Sequence, residues 1–228
     1  MQKKFTINVK AVFVGDVNVG KTSITQRIAQ NGFSERYVPT LGADLLSATQ
    51  ECAGREVRVD LWDTAGQEKF RALGNLYYKN ADLVVLVYDR TKPSSMHSVL
   101  SEWLVEVSTF CDPAQTRLLI LANKSDASDA EDTGVAALRQ QIAERSDVEI
   151  RDIDEGIETG NSAQFQTVFA NVSAKTNLLL AESFWAAVRH VVECNTQRRH
   201  EINTERDLGR TMIIDQAPAL NVKDRHCC

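Results

Sequence analysis

Short apolar runs alternate along the chain with segments in which apolar residues recur every three or four positions. The runs are rich in Val, Ile and Leu and predict buried strands at residues 9–14, 83–88, 118–122 and 167–172. The periodic segments predict helices at residues 23–30, 96–110, 131–145 and 178–193. Strands that alternate with helices form βαβ crossovers, so we expect a mainly parallel sheet.

Two further strand-like runs, residues 41–52 and 56–63, are separated by Ala53-Gly54-Arg55, which is typical of a hairpin turn. The second run alternates apolar and polar residues, as a half-exposed strand does. The predicted fold is therefore an α/β domain. Its sheet is six-stranded and mostly parallel, with one antiparallel edge strand and helices on both faces.

Local signals predict how two of the helices begin and end. Asn31-Gly32 follows the first helix, and the glycine is expected to stop it. Ser94 or Ser95 is expected to cap the helix at 96–110. Two aromatic residues fall in the apolar stripe of that helix and are predicted to lie in the core, namely Trp103 and Phe110.

Composition narrows the class of protein. The 228 residues are 43% apolar, which suits a globular domain, expected over residues 1–194, with a flexible polar tail over residues 195–228. A net charge of −5 gives no bias towards nucleic acid. The cysteines and histidines lack the spacing of a zinc site. We find no signal peptide, and the longest apolar run is too short to span a bilayer.

An acidic segment interrupts the domain before the last predicted strand. Seven acidic residues and two arginines lie within residues 144–161, which predicts an acidic surface insertion at about residues 144–164. We favour a solvated insertion over a metal-binding loop, because Asp152-x-Asp154-x-Gly156 is only part of a calcium-loop pattern.

A glycine-rich stretch joins the first strand to the first helix and matches G-x-x-x-x-G-K-[ST], the P-loop pattern. Such a loop places backbone N–H groups around a phosphate at a helix N-terminus. Lys21 adds a positive charge for the β- and γ-phosphates, and the Thr22 hydroxyl is placed to ligate Mg²⁺. The residues predicted to bind the nucleotide here are Gly15, Asp16, Val17, Asn18, Val19, Gly20, Lys21, Thr22 and Ser23.

Polar residues suited to phosphate chemistry follow the predicted strand at 56–63. Asp63 is a carboxylate that can help to hold Mg²⁺. Gly66 offers a backbone N–H to a γ-phosphate, and Gln67 can orient an attacking water in line with the phosphorus. Together with the P-loop, these residues predict hydrolysis of a nucleoside triphosphate.

Residues 123–126, Asn-Lys-Ser-Asp, follow the predicted strand at 118–122. The Asp126 carboxylate can accept hydrogens from both N1–H and the 2-amino group of guanine, a pair that adenine lacks. Asn123 can tie this loop to the P-loop, and the Lys124 stem can lie over the base. The loop therefore favours a guanine nucleotide and argues against a P-loop ATPase or kinase.

Ser173-Ala174-Lys175 follows the last predicted strand and completes the predicted base site. The backbone N–H of Ala174 can reach guanine O6. Each of these motifs comes directly after a strand, at the end of a parallel sheet where ligands bind.

These motifs resemble those of the Ras superfamily of small GTPases and of the Rab family within it. Residues 62–68 are similar to the Rab form of the switch II start, and further Rab-like stretches lie at residues 69–71, 77–79 and 86–89. The resemblance covers about residues 8–193 and the C-terminus. It implies the P-loop NTPase fold known as the G-domain, with GTP/GDP and Mg²⁺ as cofactors.

The resemblance also implies roles for single residues. Thr40 is expected to ligate Mg²⁺ in the GTP state, together with Thr22 and Asp63. Phe33 is expected to pack against guanine, and Tyr37 to contact the nucleotide. An effector surface is expected at the positions of an aromatic trio, where this chain has Leu45, Trp62 and Tyr77.

The terminal pair Cys227-Cys228 resembles the Rab double geranylgeranyl site, and two isoprenoid chains give stable membrane attachment. The resemblance implies a monomeric switch in vesicle trafficking, on the cytosolic face of an endomembrane, with a cytosolic GDP-bound pool. Its expected partners are a guanine nucleotide exchange factor, a GTPase-activating protein, effectors, an escort protein and a GDP-dissociation inhibitor. No nucleic acid is expected as a partner.

Val17 departs from the family, whose members commonly carry a small residue at this position, often serine. A β-branched side chain near the γ-phosphate can crowd the attacking water, which predicts slow intrinsic hydrolysis. Two interpretations therefore stay open: a GTP-hydrolysing traffic switch, and a GTP-binding scaffold with very slow turnover.

Overall fold

A computed structural model of the chain describes residues 6–34, 40, 42–52, 54–66, 74–127, 133–145, 148–151 and 165–196. The chain divides into two compact units, Met1–Val192 and Glu193–Cys228. The first unit holds the sheet and the helices around it. Of the second unit, the structure describes residues 193–196, which are helical.

One sheet organises the first unit. Its strands are β1 (Ile7–Val14), β2 (Ala43–Cys52), β3 (Arg55–Thr64), β4 (Leu83–Asp89), β5 (Arg117–Asn123), β6 (Val148–Arg151) and β7 (Phe165–Asn171). Their spatial order is β2-β3-β1-β4-β5-β7-β6, and β2–β3 is the antiparallel pair, while the other pairs run parallel. The predicted α/β class, with a mostly parallel sheet and one antiparallel edge strand, is confirmed.

Six of these strands are the predicted ones, and β6 is a seventh. It lies within the acidic segment at 144–164, where the sequence predicts a solvated insertion, and it pairs with β7. Val148 and Ile150 alternate with charged residues, a strand pattern that the acidic composition of the segment conceals. Residues 152–164 lie outside the described residues.

Helices cover both faces of the sheet. Their bounds are α1 (Lys21–Gln30), α2 (Gly74–Tyr78), α3 (Pro93–Ser98), a π-helical turn (Val99–Trp103), α4 (Leu104–Phe110), a 3₁₀ turn (Ser125–Ala127), α5 (Thr133–Ala143) and α6, which covers residues 180–192 of the first unit. Within the described ranges, every helix is too short or too polar to cross a membrane.

The core has two layers, because successive residues of a strand point to opposite faces of the sheet. In β1, Phe13 packs into the layer under α1 and α6, where its ring lies 6.0 Å from that of Phe184. Its neighbours Val12 and Val14 belong to the other layer, which contains Trp103 and residues of α4 and α5. The residues of β4 and β5 are buried throughout, so these strands fix the centre of the sheet.

Two helix boundaries differ from the prediction. Helix α1 ends at Asn31, which adopts the left-handed conformation with a φ of 51°, and Gly32 does not take that role. Asparagine tolerates this conformation because its short polar side chain can hydrogen-bond locally. Helix α3 begins with Pro93 in its first turn, so neither Ser94 nor Ser95 is the cap. Proline suits the first turn because its φ is already helical and its missing N–H costs nothing there.

The two aromatic residues of the predicted stripe differ in burial. Trp103 is buried, whereas Phe110 is 41% exposed, so the predicted core position of Phe110 is wrong. Phe110 ends α4 and stacks on Tyr78, with 5.8 Å between ring centroids. The π-helical turn at Val99–Trp103 changes the rotation per residue. Apolar positions after this turn therefore lose the phase that a uniform helix would give them.

Candidate active site

Four loops follow strands of the same direction and lie at one edge of the sheet. They are residues 15–20 after β1, 65–66 after β3, 124–127 after β5 and 172–175 after β7. In open parallel sheets, ligands bind in the crevice outside the carboxyl ends of the strands. Apart from Phe33 and Thr40, the described residues that the sequence predicts to bind a nucleotide lie on these loops or adjoin one of them in the sequence.

The loop at residues 15–20 turns so tightly that it needs glycine at both ends. Gly15 has a φ of 141°, and a Cβ there would lie 2.1 Å from the Val87 carbonyl oxygen. Gly20 has a φ of 102°, and a Cβ there would lie 2.3 Å from the Asn123 amide nitrogen. Gly20 is also the N-cap of α1 and has no side chain to satisfy the first N–H groups of the helix. Those groups form an anion-binding site.

Lys21 lies buried beneath the loop. Its Nζ donates hydrogen bonds to the carbonyl oxygens of Gly15, at 2.7 Å, and Asp16, at 2.8 Å. Burial lowers the pKa of Lys21 to about 8, and the nearby carboxylates of Asp63 and Asp16 oppose that shift. An ammonium group held in a water-poor place attracts a phosphate more strongly than one in bulk water.

Three side chains bring oxygen atoms together beside Lys21. The Thr22 hydroxyl donates to Asp63 Oδ2 at 2.7 Å and lies 2.9 Å from the Thr40 hydroxyl. The second carboxylate oxygen, Asp63 Oδ1, is buried without a hydrogen-bond partner. Burial raises the pKa of Asp63, against the hydrogen bond from Thr22 and the charge of Lys21. An orphaned carboxylate oxygen beside two hydroxyls fits a hard cation such as Mg²⁺, which prefers oxygen ligands.

Gly66 brings the chain after β3 against the P-loop. A Cβ at this position would lie 2.6 Å from the Asp16 carbonyl group and 2.6 Å from Lys21 Nζ. The close approach therefore requires glycine. Gln67, predicted to orient the attacking water, and Tyr37, predicted to contact the nucleotide, lie outside the described residues.

Asn123 joins the P-loop to the loop after β7. Its Nδ2 donates to the Val19 carbonyl oxygen at 2.8 Å, and its Oδ1 accepts from the Ala174 N–H at 3.1 Å. The sequence predicts the Ala174 N–H as a partner of guanine, but in the structure this group donates to Asn123. Asp126, on the same loop as Asn123, is exposed and accepts a hydrogen bond from the Ser173 hydroxyl. The two loops are therefore joined at two points.

Lys124 links the same loop to β4. It has a φ of 65°, and its Nζ donates to the Asn18 carbonyl oxygen at 2.9 Å and to Asp89 Oδ2 at 2.7 Å. Burial raises the pKa of Asp89, but hydrogen bonds from Lys124 and Thr91 outweigh it, so this pKa lies below its usual value. Asp89 is absent from the site residues that the sequence predicts. Its position in the sequence could have indicated a role, because a carboxylate at the end of a buried strand needs a partner.

The three positions predicted to face effectors lie side by side. Leu45 on β2 is opposite Trp62 on β3, and 54% of Leu45 is exposed. The Trp62 and Tyr77 rings lie 6.4 Å apart, centroid to centroid. Lys10 Nζ lies 4.5 Å from the Trp62 ring centroid, a cation–π contact that helps to hold the ring in place.

Trp103 has a contact that its apolar pattern does not reveal. Its indole N–H donates to Asp16 Oδ1 at 2.7 Å, between residues 87 positions apart in sequence. The π-helical turn at Val99–Trp103 carries this side chain, and such turns are frequent at functional sites. Trp103 therefore connects a helix on one face of the sheet to the P-loop.

Replacing Trp103 with Phe is expected to lower the free energy of unfolding by about 1–3 kcal/mol, because it removes a hydrogen bond to a carboxylate. The measurement is urea unfolding followed by circular dichroism. Trp185→Phe is the matched control, since Trp185 packs edge-on against Phe184, outside the π-helical turn that carries Trp103. An equal loss in both variants would contradict a specific role for the bond to Asp16.

Comparison with known proteins places this site in a family. A model of the Ras family matches residues 10–193. Ras-related protein Rab-1C of Dictyostelium discoideum is 35% identical over 54% of this chain and 60% of its own length. GTP-binding protein YPTM1 of Zea mays is 36% identical, over 62% of this chain and 69% of its own length. Ras-related protein RABA5b of Arabidopsis thaliana is 33% identical, over 82% of this chain and 87% of its own length.

The chain belongs to the Ras family, whose members are small GTPases that bind guanine nucleotides and hydrolyse GTP. Its similarity to proteins named Rab and Ypt assigns it to the Rab members of that superfamily. The match spans less than two thirds of the length of Rab-1C and most of the length of RABA5b.

Proposed function

We propose that the chain is a Rab-like switch that binds GTP, hydrolyses it to GDP and phosphate, and regulates vesicle trafficking at an endomembrane. The observation that carries the proposal is the convergence of three sets of groups at one edge of the sheet. They are the buried Lys21 under the P-loop, the oxygen atoms of Thr22, Thr40 and Asp63, and the loop fixed by Asn123. The first of these environments suits a phosphate, the second a cation and the third a base.

The phosphates would bind at the N-terminus of α1, where Gly20 leaves backbone N–H groups open. Lys21 would share its hydrogens between the P-loop carbonyls and the β- and γ-phosphates. Thr22, Thr40 and Asp63 would hold Mg²⁺, which would neutralise part of the phosphate charge.

The base would lie between Phe33 and the loops at 123–126 and 173–175. Asp126 would accept two hydrogens from guanine, and this pairing would exclude adenine because adenine leaves the carboxylate without them. Gln67 would orient the attacking water. In this interpretation, Gln67 is the catalytic residue.

The switch would depend on Thr40 and Gly66, which lie against P-loop groups in the structure. Contacts with the γ-phosphate would hold both segments, and hydrolysis would release them. Effectors would read the ordered form at Leu45, Trp62 and Tyr77.

Membrane attachment would come from prenyl groups on Cys227 and Cys228, which lie outside the described residues. The partners proposed on the same grounds are an exchange factor, an activating protein, effectors, an escort protein and a GDP-dissociation inhibitor. Similarity to proteins named Rab supports an association with endomembranes.

A second candidate function is a GTP-binding scaffold that hardly turns over. The observation that favours it is Val17, a β-branched residue whose side chain is 42% exposed on the P-loop, where it can crowd an attacking water. Chromatography of the nucleotide released from the purified protein tests what both candidates share, and an adenine nucleotide would overturn both. Phosphate release over many turnovers separates them.

Val17→Ser is expected to speed single-turnover GTP hydrolysis by about tenfold, because it frees space beside the γ-phosphate for a correctly placed water. The rate is followed by phosphate release from preloaded protein. Val105→Ser, at an exposed position on α4, is the control and should leave the rate unchanged. If Val17→Ser hydrolyses GTP no faster than the unchanged chain, Val17 does not crowd the attacking water and the scaffold interpretation loses its support.

A further inference from the structure

Arg27 lies near the end of α1, and its side chain donates three hydrogen bonds to backbone carbonyl oxygens. Its Nε donates to Ala174 O at 3.0 Å and its Nη2 to Lys175 O at 2.8 Å. Its Nη1 donates to Asn31 O at 3.0 Å, at the residue that ends α1. One planar guanidinium thus holds two backbone segments that are far apart in sequence.

The same guanidinium also contacts Phe33. Its central carbon lies 5.7 Å from the centroid of the Phe33 ring, within the range of a cation–π interaction. Phe33 packs against the core layer that contains α1 and α6. Arg27 therefore contacts the segment Asn31–Phe33 on one side and the loop at 174–175 on the other.

These two segments are the ones between which the proposed function puts the guanine base. We propose that Arg27 is a positioning residue that sets how long a guanine nucleotide stays bound. It does so by keeping Phe33 and the Ala174–Lys175 backbone at a fixed separation. This inference rests on the proposed function, because it needs a base in the space between them.

Chemistry explains why the residue is arginine. A guanidinium presents several N–H donors in one plane and stacks on an aromatic ring, whereas the ammonium of lysine is a point charge on a flexible stem. Three carbonyl partners and an aromatic ring match the planar guanidinium rather than the ammonium. The hydrophobic contacts of α1 with the core come from other residues, among them Ile24, so loss of Arg27 should loosen the loops more than the domain.

The test measures dissociation of a fluorescent GDP analogue from the full chain, chased with excess GDP. Arg27→Met is expected to speed dissociation by about tenfold or more, since several hydrogen bonds are lost together, and Arg27→Lys by about threefold. Hydrolysis of bound GTP in a single turnover should change by less than about twofold, because Arg27 is not near the γ-phosphate groups. Arg58→Met is the matched control, since Arg58 is an exposed arginine on β3 paired with Asp60.

The outcomes are distinguishable. Faster release in both Arg27 variants, in the order Met before Lys, with Arg58→Met unchanged, supports the proposal. An unchanged release rate in the Arg27 variants, or an equal change in Arg58→Met, overturns it while leaving the proposed function intact. Failure of the unchanged chain to bind the GDP analogue overturns the proposed function and this inference with it. If Arg27→Met does not fold, Arg27→Lys decides by the same measurement.

Discussion

Replacing Asp126 with Asn is expected to shift the base preference of the protein from guanine towards xanthine nucleotides. A carboxylate accepts hydrogens from N1–H and the 2-amino group of guanine, whereas an Asn amide would place its own N–H against that amino group. Xanthine carries a carbonyl oxygen there and can accept that hydrogen. Sites built on such pairing reject the wrong partner by about 10⁴-fold, so the loss of guanine affinity should be of that order.

The structure supports the choice of this side chain and supplies a control. Asp126 is exposed towards the ligand edge, with one oxygen engaged by the Ser173 hydroxyl. Asp112→Asn is the matched control, because Asp112 is an exposed aspartate in the turn before β5, at the other end of that strand. Competition between GDP and xanthosine diphosphate measures the preference. A preference for guanine that survives the change at Asp126 would count against this assignment of the base site.

Asn123→Ala is expected to cost about 2–6 kcal/mol of unfolding free energy, because it leaves two buried backbone groups without a partner at about 1–3 kcal/mol each. Those groups are the Val19 carbonyl and the Ala174 N–H, which the Asn123 amide now joins at 2.8 and 3.1 Å. Only 2% of Asn123 is exposed, so water cannot easily replace the lost amide. GDP affinity should fall by about a hundredfold or more, since the loops lose their fixed spacing.

Urea unfolding and GDP titration of the same preparations measure both effects. Asn8→Ala is the matched control, since Asn8 lies exposed on β1 and should change neither quantity by much. A stable Asn123→Ala protein with nearly normal affinity would show that the amide is not the joint between the loops.

The elements that the sequence predicts best are those whose residue pattern is complete within one short stretch of the chain. Strands β4 and β5 are buried throughout, so their apolar runs identify them without further information. The errors have local physical causes. Asn31 takes the left-handed position expected of Gly32, and Pro93 begins α3 where a serine cap was expected. Phe110 lies beyond a π-helical turn, which no helical periodicity foresees.

The candidate site shows the same division. The P-loop and the Asn-Lys-Ser-Asp loop are each one continuous stretch of sequence, so their residue pattern and spacing can be recognised. Arg27 and Trp103 escaped because their partners are distant: Ala174 lies 147 positions from Arg27, and Asp16 lies 87 positions from Trp103. A pattern built on neighbouring positions predicts a solvated side chain for an arginine and a core position for a tryptophan. Neither prediction includes a distant backbone or carboxylate partner.

Strand β6 determines how much unpaired backbone lies at one edge of the sheet. Without it, β7 would be the outermost strand on that side and would offer seven residues of unpaired backbone. With it, the outermost strand is four residues long. Short edge strands are poor templates for strand addition by another polypeptide, so a four-residue edge offers less backbone for such pairing than a seven-residue edge would. The segment that the sequence predicts to be an acidic insertion thus contributes the strand that shortens the backbone edge on this side of the sheet.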